Sequence, residues 1–313
     1  MTVIVRKPGL QTTIQSRPRT GLRHLGVPSS GPADPLSMAL ANRLVGNTAF
    51  APALETTLTG VALSFDAEST VAITGATARC SLNGQVVQQH MTISIVPGDV
   101  LKVGAAEAGV RSYVAFAGGL LADKVLGSES TYLPAAFGGY KGRALAEGDD
   151  LSLAVTDLQA PYAETPAEFR LPILSAWTLR AGRSSETTKL RRAERLFDRK
   201  FTVASRSDRM GIKLDGQPFE IDSDRQMPSV PSFPGTVQCP HDGSLYVMSV
   251  DSGTTGGYPR VAKITRMDLH LLGQLRPGNS LTLIERNDDD AVRELQEKHA
   301  YWRAWLPDIA EVI

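Results

Sequence analysis

Apolar residues in this chain come in short runs of four to eight, rich in Val, Ile, Leu and Thr and bounded by Gly, Pro, Asn or Asp. Runs of that length are too short for ordinary helices and read as strands. Residues 70–74, 91–96, 101–103, 113–116, 201–204, 246–250 and 281–284 are examples. The 28 glycines and 19 prolines then act as turn punctuation. One turn recurs three times, as Pro97-Gly98-Asp99, Gly148-Asp149-Asp150 and Pro277-Gly278-Asn279, each just before a strand-like run. In its proline-bearing form, proline presets φ and the glycine accepts φ > 0, as in a type II turn.

Three segments carry helical spacing. Asp34-Pro35 followed by Leu36, Leu40 and Leu44 and stopped by Gly46 has an N-cap, a first-turn proline, an apolar stripe and a terminal glycine. Residues 188–197 place Leu190, Ala193 and Phe197 on one face, and the tail from Asp290 does the same with Leu295, His299 and Trp302. A chain of 313 residues exceeds the size at which a single core stops growing, about 250–300 residues. Residues 159–172 carry Pro161, Pro166 and Pro172 without periodicity. The boundary is expected there, giving a β-rich lobe over 1–160 and a second over 161–313.

With 33 Lys+Arg against 33 Asp+Glu there is no excess charge to attract a polyanion, which disfavours a nucleic-acid partner. No stretch of about 18 apolar residues and no basic-then-apolar leader is present, so a cytoplasmic protein with no membrane contact is expected. Cys80 and Cys239 read as reduced, buried thiols. The five histidines show no metal-ligand spacing, and no metal site is expected.

Phosphate-loop, dinucleotide, metalloprotease and nucleophile-elbow signatures are absent. The unusual segments are turns richer in Gly, Ser and Thr than packing needs. Thr254-Thr255-Gly256-Gly257-Tyr258-Pro259 offers two hydroxyls, two glycines and an aromatic ring: either an anion-holding loop or a tight turn with Tyr258 packed. In Ser207-Asp208-Arg209-Met210-Gly211 the arginine either grips a carboxylate or phosphate or forms a structural ion pair. Ser128, Ser130 and Thr131, with the glycine-rich run at residues 138–143, form either an oxyanion surface or a solvated loop. At the first helix, Asp34 is a cap or the N-terminus holds an anion.

As a set and in order, these segments resemble the biotin-dependent carboxyltransferase family, which includes allophanate hydrolase subunit 2, the C-type subunit of 5-oxoprolinase and a region of urea carboxylase. The residues that carry the resemblance include Ser30-Gly31-Pro32-Ala33-Asp34, Leu54-Glu55-Thr56-Thr57, Gly127-Ser128-Glu129-Ser130-Thr131, Ser207 to Gly211 and Thr254 to Pro259. Departures from the family pattern are Asp251-Ser252-Gly253 in place of an acidic-x-Gln, Glu129 in place of arginine, and Arg183-Ser184 in place of Pro-Gln.

The resemblance implies a mainly β fold of two β-rich lobes, a cyclophilin-like β-barrel in at least one, and a few short helices. It implies a subunit of a heteromeric, ATP-dependent 5-oxoprolinase, with ATP bound by the complex and a homologous second subunit as partner. The alternatives are a carboxyltransferase component that moves a carboxyl group from carboxybiotin, supplied by another polypeptide, to urea or a similar amide, and a non-catalytic regulatory partner of a kinase-inhibitor protein. Either chemistry builds negative charge on an oxygen and needs donors aimed at it. The expected donors are Thr254, Thr255, Gly256 and Gly257, with Asp208 orienting Arg209 and with Arg209, Tyr258, Ser128, Ser130 and Thr131 contacting substrate.

Overall fold

The computed structural model describes residues 2–154, 160–222 and 227–313. The protein is mainly β. It forms two compact units, Met1–Arg19 with Ser30–Ile173 and Trp302–Val312, and Thr20–Ser29 with Leu174–Tyr301 and Ile313. The chain therefore passes between units near residue 173, at the C-terminal edge of the proline-bearing stretch, and also near residues 19, 29 and 301. Gln159, where that stretch begins, lies outside the described residues.

The first unit is a curled sheet of β1 (Thr2–Lys7), β2 (Gln11–Gln15), β3 (Ala53–Thr57), β4 (Ala62–Phe65), β5 (Ser69–Leu82), β6 (Gln85–Val87), β7 (Thr92–Ile95), β8 (Val100–Phe116) and β9 (Asp150–Ser152). The two runs at 101–103 and 113–116 are one strand, β8, whose first half pairs with β4 and whose second half pairs with β3. β5 runs along the other edge of β8 with register shifts from Gly75 onward. Glycine is required there because φ is +92° and a Cβ would lie 2.4 Å from the Arg111 carbonyl oxygen. Val3, Ile14, Leu63, Ile73, Leu101 and Phe116 fill the core.

The expected first helix, α1 (Pro35–Leu44), forms, and Asp34 caps it by accepting from the Ser37 amide at 3.0 Å. Leu36, Met38, Leu40 and Leu44 are buried, each contributing about 1.5–3 kcal/mol. Buried Glu55 ties the cap to the sheet: one of its oxygens accepts the Ala33 amide and the Tyr113 hydroxyl, both at 2.8 Å, while the Tyr113 oxygen accepts the Asp34 amide at 2.8 Å. Burial first, then the Glu55 and Asp34 carboxylates, push the Tyr113 phenol well above its ordinary value.

The second unit holds a closed barrel in the order β10 (Ala176–Arg183), β17 (Arg260–Ile264), β14 (Thr236–Gln238), β15 (Leu245–Met248), β12 (Gly211–Asp215), β11 (Lys200–Val203) and β18 (Ser280–Glu285), which pairs back onto β10 in parallel. This is the cyclophilin-like barrel the resemblance implies. A separate ladder joins β13 (Val230–Pro231) to β16 (Thr255–Gly256).

Residues 188–197 do not form one helix. They contain a 3₁₀ turn, Thr187–Lys189, then α2 (Arg195–Asp198). Between them Leu190 bridges to Ile221 and Arg192 takes φ +56°, a left-handed conformation that interrupts the helix. The tail forms α3 (Asp288–Trp302), followed by α4 (Ile309–Val312), which packs on α1 in the first unit. There Trp302 and Trp305 meet the Phe169 ring at 5.4 and 6.5 Å, and Arg43 lies 5.4 Å above Trp305.

The recurrent turn has one geometry at all three places. Gly98, Gly148 and Gly278 have φ of +91°, +85° and +87°. The next residue closes the turn twice, with its amide on the carbonyl three residues back and its side chain accepting that residue's amide. The pairs are Asp99 with Val96, Asp149 with Ala146, and Asn279 with Arg276. In the second unit Asn279 also accepts the Trp177 indole at 3.1 Å.

Candidate functional site

The turn before β12 is shaped by Asp208, whose Oδ1 accepts the amides of Met210 and Gly211 at 2.7 and 3.1 Å. A short carboxylate folded onto its own backbone does not orient the neighbouring guanidinium. That task falls to Asp251, which accepts Arg209 Nε at 2.6 Å and Nη2 at 3.0 Å. The pair is 6% and 3% exposed, and the Asp251 amide donates to the Arg209 carbonyl at 2.9 Å. Arg209 is thus locked by a bidentate, charge-assisted contact that fixes the loop 251–258 to the barrel.

Within that loop Thr255 and Gly256 oppose Pro231 and Val230, and the Ser232 amide donates to the Thr254 carbonyl at 2.9 Å. Gly256 and Gly257 are not among the residues of positive φ, so their amides do not curl into an anion-holding nest. Glycine serves close approach instead. A Cβ on Gly256 would sit 2.6 Å from Gln238 Nε2, and one on Gly257 would sit 3.3 Å from the Met227 carbonyl oxygen. Thr255 is exposed, Thr254 half-buried and Tyr258 47% exposed, so the Tyr258 ring is open to a ligand and not packed.

Ser128, Ser130 and Thr131 lie in the first unit, fully buried. Their hydroxyls donate to the carbonyls of Arg17 at 2.6 Å, Ser16 at 3.0 Å and Ile14 at 2.9 Å. The cluster pins this loop along the continuation of β2, and its hydroxyl protons already have acceptors. Arg19 reinforces it by donating to the Val125 and Ser130 carbonyls while lying 4.7 Å over Phe137. Glu129 accepts the Ser16 hydroxyl and pairs with Lys124 at 3.4 Å.

Several residues that border the loop are missed by sequence reasoning. Asp251 fills the acidic place of the family's acidic-x-Gln, where the departure is Gly253, and its part as the partner of Arg209 is not visible in the sequence. Gln238 is buried beneath Gly256, and the buried Ser252 hydroxyl has no partner among the described residues. Glu186 holds Arg260 through both carboxylate oxygens, and Arg260 Nη1 donates to the Pro231 carbonyl at 3.1 Å, propping β13 under the loop. Arg23 donates from Nη2 to the carbonyls of Ser232 and Gly253. Lys263, which interrupts the apolar run from Val261 to Ile264, donates to the Pro234 carbonyl. That interruption is the one local signal available; the other contacts join residues far apart in sequence.

A family profile described as "Carboxyltransferase domain, subdomain A and B" matches residues 25–285. The chain belongs to this family. Carboxyltransferase-domain relatives include the C-type subunit of the Escherichia coli 5-oxoprolinase, 33% identical over 303 residues that span 96% of both chains. The urea amidolyase of Lachancea kluyveri is 34% identical over 90% of this chain but only 17% of its own length. Among solved structures, the urea carboxylase of Kluyveromyces lactis superposes with a TM-score of 0.88 and 31% identity over 95% of this chain and 29% of that one. TTHA0988 superposes at 0.81 with 34% identity over 90% of this chain and 56% of its own.

Proposed function

We propose that this chain is the C-type subunit of a heteromeric, ATP-dependent 5-oxoprolinase, which opens the lactam of 5-oxoproline to glutamate together with a homologous second subunit. The observation that carries this reading is the 33% identity with the E. coli 5-oxoprolinase subunit over 96% of each chain, which covers both units. In this reading the exposed face of the loop 254–258 meets the amide. The Thr254 and Thr255 hydroxyls and the Gly257 amide are donors for the oxygen on which charge develops, and Tyr258 walls the pocket. The Gly256 amide belongs to the ladder with Val230. Asp208 and Arg209 act at one remove, by shaping the turn and bracing the loop through Asp251. The loop glycines do not fit a phosphate cradle, so nucleotide is assigned to the rest of the complex and no step here runs through it.

Co-expression with the neighbouring gene products and a 5-oxoproline-dependent ATP hydrolysis assay tests the reading. ATP turnover that depends on 5-oxoproline and is lost without this chain supports it. A purified complex that instead turns over ATP only with urea or a related amide and bicarbonate refutes it. The second outcome is favoured by one specific observation, the match of the carboxyltransferase profile to residues 25–285, and would make this chain the component that moves a carboxyl group from carboxybiotin, carried on another polypeptide, to urea or a similar amide.

A further inference from the structure

We propose that Arg23 and Lys263, gathered around the ring of Phe233 in the second unit, form an anion subsite that holds the carboxylate of a small substrate. The subsite itself stands on geometry; that its ligand is the carboxylate of a cyclic amide rests on the reading above.

Arg23 sits on the 3₁₀ turn Arg23–Leu25, with its guanidinium 5.2 Å from the Phe233 centroid, and Lys263 Nζ lies 5.7 Å from the same centroid. Every hydrogen-bond acceptor these two cations have among the described residues is a backbone carbonyl: Ser232 and Gly253 for Arg23, Pro234 for Lys263. Arg23 Nε and Nη1 are buried and have no acceptor among those residues. Arg111, Arg209 and Arg260 leave solvent with a carboxylate, Glu55, Asp251 and Glu186, whereas Arg19, at Phe137, donates like Arg23 to backbone carbonyls; what sets Arg23 apart is a second cation, Lys263, at the same ring. Two like charges brought to one ring without a carboxylate raise each other's energy, and a buried donor left unmade is costly. An anion supplied by a ligand removes both penalties.

The electrostatics agree. Burial, and then the Arg23 charge, bring the Lys263 amine down to about 8, and burial lowers Arg23 as well. A groove of about 670 Å³, in which Phe233, Pro234 and Lys263 face Leu269, Val292 and Leu295, gives access from the Lys263 side; Arg23 does not line it and borders it through the Phe233 ring. The other charged residues lining this groove are Arg183, Arg266, Arg286 and Asp288; Arg183 and Arg286 are paired with Glu285 and Glu294, which leaves only a small positive excess to favour anions. Because Arg23 also holds the Gly253 carbonyl, a carboxylate seated here lies against the start of the loop whose Thr255 and Tyr258 side chains are exposed.

The test reads the reactivity of Lys263 in the full chain at pH 8, by peptide mass spectrometry after brief exposure to an N-hydroxysuccinimide ester, with Lys102 as internal reference. L-5-oxoproline and acetate are expected to slow Lys263 modification about fivefold, since a bound anion raises the amine's pKa and empties the neutral form. Inorganic phosphate should protect less. Arg23→Gln should slow the basal reaction, because the cation that depresses Lys263 is gone, and should abolish protection. Wild-type Lys263 unaffected by any carboxylate overturns the subsite without need of a variant, and so does equal slowing of Lys102. Better protection by phosphate overturns the carboxylate assignment.

Protection by acetate and 5-oxoproline in a chain whose reconstituted complex shows no 5-oxoproline-dependent ATP hydrolysis leaves the subsite and removes the 5-oxoprolinase reading. Hydrolysis without protection does the reverse. In an active complex, Arg23→Gln should raise KM for the carboxylate substrate by about 10- to 100-fold with a smaller change in kcat.

Discussion

Removing Asp251 should destabilise the second unit far more than it alters any surface property. Asp251→Ala removes the two charge-assisted contacts, at 2.6 and 3.0 Å, that Asp251 makes with an Arg209 side chain only 6% exposed. Breaking a buried ion pair by removing one partner costs about 3–5 kcal/mol. For a unit of this size, about 2–4 °C per kcal/mol, the transition assigned to the barrel should fall by about 6–20 °C. Calorimetry gives the shift, and hydrogen exchange in β12 and β15 should localise it, because Asp251 and Arg209 also share a backbone bond beside those strands. The double substitution Arg209→Met with Asp251→Leu removes both charges and should recover most of the loss. A single variant within about 1 kcal/mol of wild type, or a double variant no better than the single, would refute the view that Arg209 is a strut and return it to the pool of ligand-binding groups.

Three further outcomes follow from buried groups. Tyr113→Phe removes the acceptor of the Asp34 amide and a donor to Glu55, and should cost about 1–3 kcal/mol in denaturant titrations while leaving the fold intact. Burial, and then Arg170, bring the His90 imidazole down to about 4, so the native state prefers it neutral while the unfolded chain takes up a proton near 6.5. Its contribution is complete above 6.5 and is lost as pH falls from there toward 4, by about 1–3 kcal/mol for this half-buried ring; His90→Asn, which tolerates the local φ of +64°, should flatten that limb of the stability profile. The thiols of Cys80 and Cys239, pushed up by burial to about 11 and about 12, should resist iodoacetamide at pH 8 in the native protein and react on unfolding.

What was legible in the sequence is what local chemistry decides. The Asp34 cap, Pro35 and the apolar stripe of α1 act within one helix, and the glycines at 98, 148 and 278 act within one turn, so both appear where the residues place them. The short apolar runs gave the β class for the same reason. The span 188–197 misled because helical spacing says nothing of the competing bridge from Leu190 to Ile221, 31 residues away. In the candidate site the residue types were readable but their partners were not. Asp208 and Arg209 are adjacent, yet the backbone amides claim Asp208 and a residue 42 positions on claims Arg209. Likewise Ser128, Ser130 and Thr131 are rich in donors, but whether a hydroxyl faces a ligand or the Ser16 carbonyl depends on a strand more than 100 residues earlier.

The closing stretch Trp302–Val312 belongs to the unit that also contains β1, and its Trp302, Leu306, Ile309 and Val312 side chains are buried there. A nascent chain emerging from the ribosome therefore exhibits the whole first sheet long before the segment that covers α1 is made. Until then the matching surface around Phe169 and Arg43 is bare, and maturation of the first unit waits for residues made well over 100 positions later. Any scheme that expresses the two halves as separate linear fragments divides that unit.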